Sequence, residues 1–201
     1  MSSIIKKMIH GYKEFREKYV HGENSAMQKL AKDGQQAQIM VVACCDSRVD
    51  PALILQCDPG DLFVVRNVAN IVPPFEKDSG YHGTSAALEF GVCFLKVKHI
   101  ILLGHSHCGG INALLNSPKI QENDFISKWV SVINIDKDEK ISADELAKKA
   151  LNNSYENCLT FPWIKDKVAT QDLVIHQWFF DIKQGEIFAY DKIKKLYNSL
   201  S

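Results

Sequence analysis

Two short stretches carry residue types able to hold a metal ion and to orient water. The first is Cys44-Cys45-Asp46-Ser47-Arg48, and the second is Gly104-His105-Ser106-His107-Cys108-Gly109-Gly110. His105 and Cys108 stand three apart, so their side chains can converge on one ion from a turn, and Cys44 offers a third ligand. Two thiolates and one imidazole form a donor set suited to zinc, and three protein ligands leave a fourth position open, as in catalytic zinc sites. Asp46 is close enough in sequence to Cys44 to accept a hydrogen bond at that position, and Arg48 can grip its carboxylate with a two-pronged contact. The pair has a second reading: released from Arg48, Asp46 could occupy the open position itself and close the site. Gly104, Gly109 and Gly110 allow tight turns and close backbone approach. Taken singly, none of these residues is diagnostic. A lone cysteine is usually a buried packing group, a lone histidine a satisfied core residue, and an Asp–Arg pair a structural contact. The joint pattern points to a zinc centre.

Both stretches need elements that bring them together. Ile39-Met40-Val41-Val42-Ala43, Leu62-Phe63-Val64-Val65 and His99-Ile100-Ile101-Leu102-Leu103-Gly104 are short, continuous apolar runs. They read as strands buried on both faces, with a helix over residues 84–96 between the last two. Strands alternating with helices give a parallel sheet covered on both sides, and ligands bind at the carboxyl ends of its strands. Both stretches would therefore lie on one edge of the sheet. Upstream, Ile4, Ile5, Met8, Tyr12, Phe15 and Tyr19 recur at helical spacing, and residues 25–33 read as a second, short helix. Downstream, residues 173–182 read as a strand, Lys183-Gln184-Gly185 as a turn, and residues 186–190 as its return. Residues 116–153 are polar with a helical pattern, and Ser142 to Glu145 forms a capping-box signature. The expected fold is α/β: a central, mostly parallel sheet flanked by helices, with an N-terminal helical arm and a C-terminal antiparallel strand or hairpin. It forms one domain, with the arm at 1–34, the zinc-binding core at 35–115, a helical region at 116–170, and a strand and helix at 171–201.

Composition narrows the function. The chain has 201 residues, 46% of them apolar, and 24 basic residues balance 24 acidic ones. Zero formal charge argues against nucleic acid and against an anionic membrane surface as partners. The first 20 residues alternate charged and apolar residues, unlike a secretory leader, and no apolar run has the length to span a bilayer. A cytoplasmic protein with reduced thiols is expected, with Cys57, Cys93 and Cys158 as packing groups and Cys45 turned away from the metal.

These motifs resemble those of beta-class carbonic anhydrases, nearer the plant-type branch than the bicarbonate-inhibited bacterial one. The resemblance extends to residues 59–70, to Val72-Pro73-Pro74-Phe75, to Ala86-Ala87-Leu88-Glu89-Phe90 and to residues 173–181. It implies one zinc per chain on Cys44, His105 and Cys108, with Asp46 and Arg48 as the catalytic pair. It implies that Gln35 hydrogen-bonds the substrate, that Phe63 and Phe90 line the pocket, and that the backbone of Gly109 borders it. In the family Gln35, Phe63 and Phe90 would come from a neighbouring subunit, so a homodimer at least is implied, with tetramers and octamers as further family forms. The implied reaction is hydration of carbon dioxide to bicarbonate by attack of zinc-bound hydroxide. Some positions depart from the family pattern. Cys45 replaces a small residue, Phe90 lacks a tyrosine hydroxyl, and His107 stands where alanine is usual. Arg66 matches an arginine of the bacterial branch's regulatory site, but Val41 stands where that site has tryptophan.

Two other functions fit part of the pattern. Relatives of this fold hydrolyse carbon disulfide or carbonyl sulfide with the same ligands, and a silent zinc protein could keep the ligands without catalysis. The presence of both Asp46 and Arg48 counts against the latter. A phosphate loop around Cys108 would need an arginine where Leu114 stands. His107, beside the ligands, is a candidate proton shuttle.

Overall fold

The computed structural model of the chain describes residues 2–22, 25–78, 80–116, 124–133 and 141–201. The apolar runs form the strands. β1 (Ile39–Cys44), β2 (Leu62–Asn67), β3 (His99–His105) and β4 (Val174–Asp181) are parallel, and β5 (Glu186–Asp191) and β6 (Leu196–Ser199) continue the sheet antiparallel. The order is β2-β1-β3-β4-β5-β6. From β1 the chain goes first to one side, to β2, and then to the other, to β3. The carboxyl ends of β1 and β3 thus flank the switch point, where a crevice for ligands opens in sheets of this kind.

β1 and β3 are the most enclosed strands, which is why they read as unbroken apolar runs. Met40, Val42, Ile100 and Leu102 face the larger core, while Val41, Ala43, Ile101 and Leu103 form a smaller cluster on the opposite face with Trp178 and Phe180 against it. The large core is closed by α4 (Gly83–Glu89), α7 (Ala143–Thr160) and α8 (Pro162–Ala169). α7 starts at the capping box, with the Ser142 hydroxyl accepting from the Glu145 N–H and the Glu145 carboxylate accepting from the Ser142 N–H. It buries Leu146, Ala147, Ala150, Leu151, Ser154 and Cys158 along one stripe. Three short helices complete this part: α3 (Pro51–Ile54), α5 (Gly109–Asn116) and α6 (Phe125–Val130).

The arm differs in kind. α1 (Ser3–Tyr19) buries no residue, and its apolar stripe stands in the open, with Ile4 64% and Met8 55% exposed. Lys18 and Tyr19 tie its end to Asp58. α2 (Ala26–Asp33) follows, and Leu30 lies where a side chain on Gly60 would sit.

Two expectations need correction. The helix expected over residues 84–96 is α-helical only to Glu89 and widens into a π turn at Phe90–Phe94. Gly91 in that turn comes so close to Met40 and the Phe63 ring that a β-carbon would collide with the Met40 sulfur. The C-terminal helix expected within 171–201 is absent; the chain turns at Asp191 and returns as β6. Of the polar stretch 116–153, residues 117–123 and 134–140 lie outside the described residues.

Candidate metal centre

Cys44 is the last residue of β1 and His105 the last of β3, so both side chains emerge at the switch point. Cys108 follows one turn later, just before α5. The ligand atoms of these three buried residues all lie within 4.8 Å of one another, and the two Sγ atoms are 3.9 Å apart. Among the described residues they are the one group of three or more metal-ligating side chains. His105 Nδ1 is 2.9 Å from the Ser106 carbonyl, so this nitrogen carries the proton and donates. That fixes Nε2 as the lone-pair nitrogen, and it is buried without a hydrogen-bond partner. An orphaned imidazole nitrogen beside two thiols is costly in a bare core and is what a metal would satisfy. The thiols are electrostatically linked: Cys44 is held well below the ordinary range, chiefly by a hydrogen bond from Cys108, whose own thiol is pushed up. One thiolate is thus favoured even without an ion.

The surrounding loops are tightly held. His107 adopts a left-handed backbone (φ 53°), a strained state for a residue with a side chain. Its N–H donates to Asp144 Oδ1 at 2.9 Å and its carbonyl accepts from Arg48 Nη2 at 3.2 Å. The Ser106 N–H donates to the Phe180 carbonyl, and its hydroxyl oxygen accepts from the Ile182 N–H. Gly110 has no room for a side chain, because Val68 and Ala69 occupy the space where a β-carbon would go. Asp46 and Arg48 form a two-pronged pair: Nε to Oδ1 at 2.9 Å and Nη2 to Oδ2 at 2.7 Å, with the Arg48 N–H also on Oδ1. The guanidinium holds the Asp46 carboxyl far below the usual carboxylate range, so it is ionised at any working pH. Asp46 thus faces Arg48 and lies outside the group of three ligands.

A family profile described as carbonic anhydrase matches residues 39–187. A carbonic anhydrase of Synechocystis is 34% identical over 94% of this chain and 72% of its own length. Beta carbonic anhydrase 5 of Arabidopsis thaliana, a chloroplastic protein, is 41% identical over 76% of this chain and 54% of its own. The solved structure of the beta-carbonic anhydrase CcaA is 32% identical, covers 98% of this chain and 100% of that one, and superposes with a TM-score of 0.86. A tetrameric beta-carbonic anhydrase of Sordaria macrospora is 31% identical over 92% of both chains, with a TM-score of 0.71. The chain belongs to the beta-class carbonic anhydrases. Its reaction is the hydration of carbon dioxide to bicarbonate.

In this carbonic anhydrase the residues expected to line the substrate pocket divide into two places. Gly109 borders the centre, exposed, with open space above its α-carbon. Phe63 does not. It pairs in register with Met40, whereas Cys44 pairs with Asn67, four positions further along. At about 3.3 Å per residue that is roughly 13 Å toward the opposite end of the sheet. Phe90 packs on Phe63 there, with ring centroids 5.7 Å apart, and Phe94 stacks on Phe90. Gln35, exposed in the link before β1, lies at the same end. Within one chain these three are not brought to the ligands.

At the carboxyl end of the sheet, apolar surface comes instead from Cys45 and from residues not singled out in the sequence. A cleft of about 480 Å³ is lined by Cys45, Asn67, Val68, Phe125, Ile126 and Trp129. The Trp129 indole donates to the Val68 carbonyl at 2.8 Å and fixes its rim. Asp144 was legible only as part of a helix start, and nothing in its residue type marks it as the acceptor for His107. The His107 imidazole itself is exposed, and it is the backbone of that residue that the loop uses.

Proposed function

We propose that this carbonic anhydrase holds one zinc ion per chain through Cys44 Sγ, His105 Nε2 and Cys108 Sγ, and that its working unit is at least a homodimer. The metal reading is carried by His105 Nε2, which is buried, unpartnered and grouped with two thiols. When bound, zinc supplies Lewis acidity that makes water a nucleophile near neutral pH. Two thiolates offset its charge, so the rate is expected to rise toward alkaline pH further than at a site of neutral histidines. Asp46, kept ionised by Arg48, serves as the hydrogen-bond acceptor that orients the reacting water. His105 is held in the correct tautomer by the Ser106 carbonyl, and Arg48 ties the Asp46 loop to the ligand loop through the His107 carbonyl. Carbon dioxide is uncharged, and the apolar cleft beside Cys45 suits its approach.

The dimer reading rests on the division of the site. β2 is an edge strand, with Val64 exposed on it and Val68 exposed just past its end. A second copy related by a two-fold axis beside β2 would exchange the two ends of the sheet, setting its Gln35, Phe63 and Phe90 against the first copy's ligands. Phe90 (42% exposed) and Phe94 (69% exposed) are then contact surface rather than stranded apolar groups. The reading includes a reducing, cytoplasmic setting, since Cys44 and Cys108 are near enough to oxidise to a disulfide when metal is absent. Among the described residues no helix is long and apolar enough to cross a membrane.

Elemental analysis and stopped-flow carbon dioxide hydration test the metal directly. Wild-type protein should carry one zinc per chain, lose hydration with a chelator and regain it with zinc. His105→Ala should bind no stoichiometric metal and run at the buffer background. Full activity after complete metal removal, or one zinc per chain with no hydration at any pH, would sink the reading.

A further inference from the structure

Arg66 is the one guanidinium near the centre that touches neither a ligand side chain nor the Asp46 carboxylate in the contacts it makes. It lies on β2, opposite Ala43. Its Nε donates to the Cys44 carbonyl at 2.8 Å and its Nη2 to the Asp46 carbonyl at 2.7 Å. Its Nη1 pairs with Asp50 Oδ2 at 2.7 Å. Asp50 uses its other oxygen to cap α3, accepting from the Ala52 and Leu53 N–H groups. The chain from Cys44 to Asp50 carries the first ligand and both members of the Asp46–Arg48 pair. It is therefore fastened to β2 at three points by one side chain, and the Cys45 N–H to the Asn67 carbonyl adds a fourth.

We propose that Arg66, braced by Asp50, is a positioning residue for hydration: it sets the backbone at Cys44 and Asp46 and thereby the ligand thiol and the orienting carboxylate. The chemistry demands an arginine. Three acceptors lie in different directions around a single planar group, and a lysine ammonium can offer only one compact charge in their place. The contacts also assign Arg66 a structural use in this chain, since Nε, Nη1 and Nη2 each already hold a protein acceptor. A strut of this kind acts through geometry, and small displacements of a catalytic group lower the rate steeply.

The inference rests on the metal reading, and two variants separate them. Arg66→Gln removes the strut. Asp50→Asn keeps Oδ1 as the cap of α3 and replaces only the oxygen that accepts from Arg66, so it cuts the brace with little change to the fold. Metal content, kcat and KM for carbon dioxide are measured on each zinc-loaded protein, and the visible spectrum is recorded on each cobalt-loaded one. Expected for Arg66→Gln is a fall in kcat per bound zinc of about 10- to 100-fold, the usual range for groups that orient metal ligands. KM should stay near wild type, and the cobalt bands should shift. Asp50→Asn should move both readouts in the same direction by less, and the double variant should match Arg66→Gln alone. Variants with wild-type kcat per zinc and wild-type cobalt spectra would overturn the strut, whatever their thermal stability. If Arg66→Gln does not fold, the same result from Asp50→Asn overturns it alone. Wild-type protein that binds no metal would remove the metal reading and the strut together.

Discussion

The two ends of the parallel sheet are built to opposite rules. At the carboxyl end, Cys44, His105 and Cys108 are buried, and the loops that carry them are fixed by Arg66, Asp144, Ser106 and Arg48 through backbone contacts. A strained His107 is tolerated there because its N–H and its carbonyl are both bonded. At the amino end, Phe63, Phe90 and Phe94 form an aromatic ladder open to water, and Gln35 stands exposed beside it. The first end is finished by one chain, because a metal site needs its donors preset to within fractions of an ångström. The second is left as a surface. The contrast sets a buried ligand group completed within one chain against an exposed aromatic patch, which the dimer reading assigns to a partner copy.

The largest effect is expected where the finished end is deprived of its orienting charge. Asp46→Asn should keep the metal and lower kcat by about 100-fold, as when a preorganised transition-state contact is lost. Its pH behaviour sharpens the test. Arg48 depresses the Asp46 pKa, so the stability that the pair adds is complete above the unfolded carboxylate value of about 3.9 and fades only as pH falls toward the lower native value. The expected rise of hydration rate toward alkaline pH therefore cannot be the titration of Asp46. Wild type should lose stability below about pH 4 more steeply than Asp46→Asn in acid-unfolding curves. Equal kcat in the two proteins would show that the carboxylate has no part in the reaction.

Next in size is the unfinished end. Phe90→Asp puts a charge into the aromatic ladder without touching a ligand, so metal content should stay at one per chain. Sedimentation should show dissociation at micromolar protein, and hydration per chain should fall by roughly 10-fold, in proportion to lost assembly, because a charge in a desolvated apolar contact is strongly disfavoured. If mass and rate both match wild type over the whole concentration range, the amino end is no part of the working site and the dimer reading fails.

A smaller effect is expected at the contact that closes the ligand loop on the turn beside β2. A β-carbon at Gly110 would meet Val68 Cγ1 at 2.7 Å and the Ala69 β-carbon at 3.0 Å. Gly110→Ala must push that turn outward, at about 1–3 kcal/mol of stability for an overpacked site. Thermal unfolding of the metal-loaded protein measures it. A melting temperature equal to wild type would mean that the turn moves freely and that the carboxyl end is less rigid than its contacts imply.

What could be read from the sequence follows the same division. The grouping of Cys44, His105 and Cys108 was legible because Cys44 and His105 each terminate an apolar run, and such runs are buried parallel strands whose ends converge. The Asp46–Arg48 pair was legible because its partners are side chains two residues apart. Arg66 and Asp144 were not, because they bind backbone groups, and a carbonyl or an N–H leaves no residue-type signature. β6 was missed for another reason, although a signal existed. Asp181 accepts from the N–H groups of Lys183 and Gln184, and Asp191 accepts in the same way from Ile193 and Lys194. Each turn ends in a left-handed residue, Gly185 in the first and Lys195 in the second. The repeated aspartate marks a second hairpin, but a lysine at the left-handed position hides it.

The smallest expected effect concerns Cys45, which sits beside a ligand and can be mistaken for one. Successive residues along a strand point to opposite faces. Cys44 turns into the buried ligand group, so Cys45, just past the end of β1, turns out to the surface and lines the apolar cleft. Its contribution to the loop is its N–H, on the Asn67 carbonyl at 2.9 Å, which any residue but proline supplies. Cys45→Ser should therefore keep one zinc per chain, hydrate carbon dioxide within about twofold of wild type and change stability by no more than about 0.5 kcal/mol. It should also remove one fast-reacting thiol from the metal-loaded protein in a colorimetric thiol titration. The reverse pattern, with metal lost and Cys44 now reactive, would make Cys45 the true first ligand and would move the centre from the buried to the exposed side of the strand end.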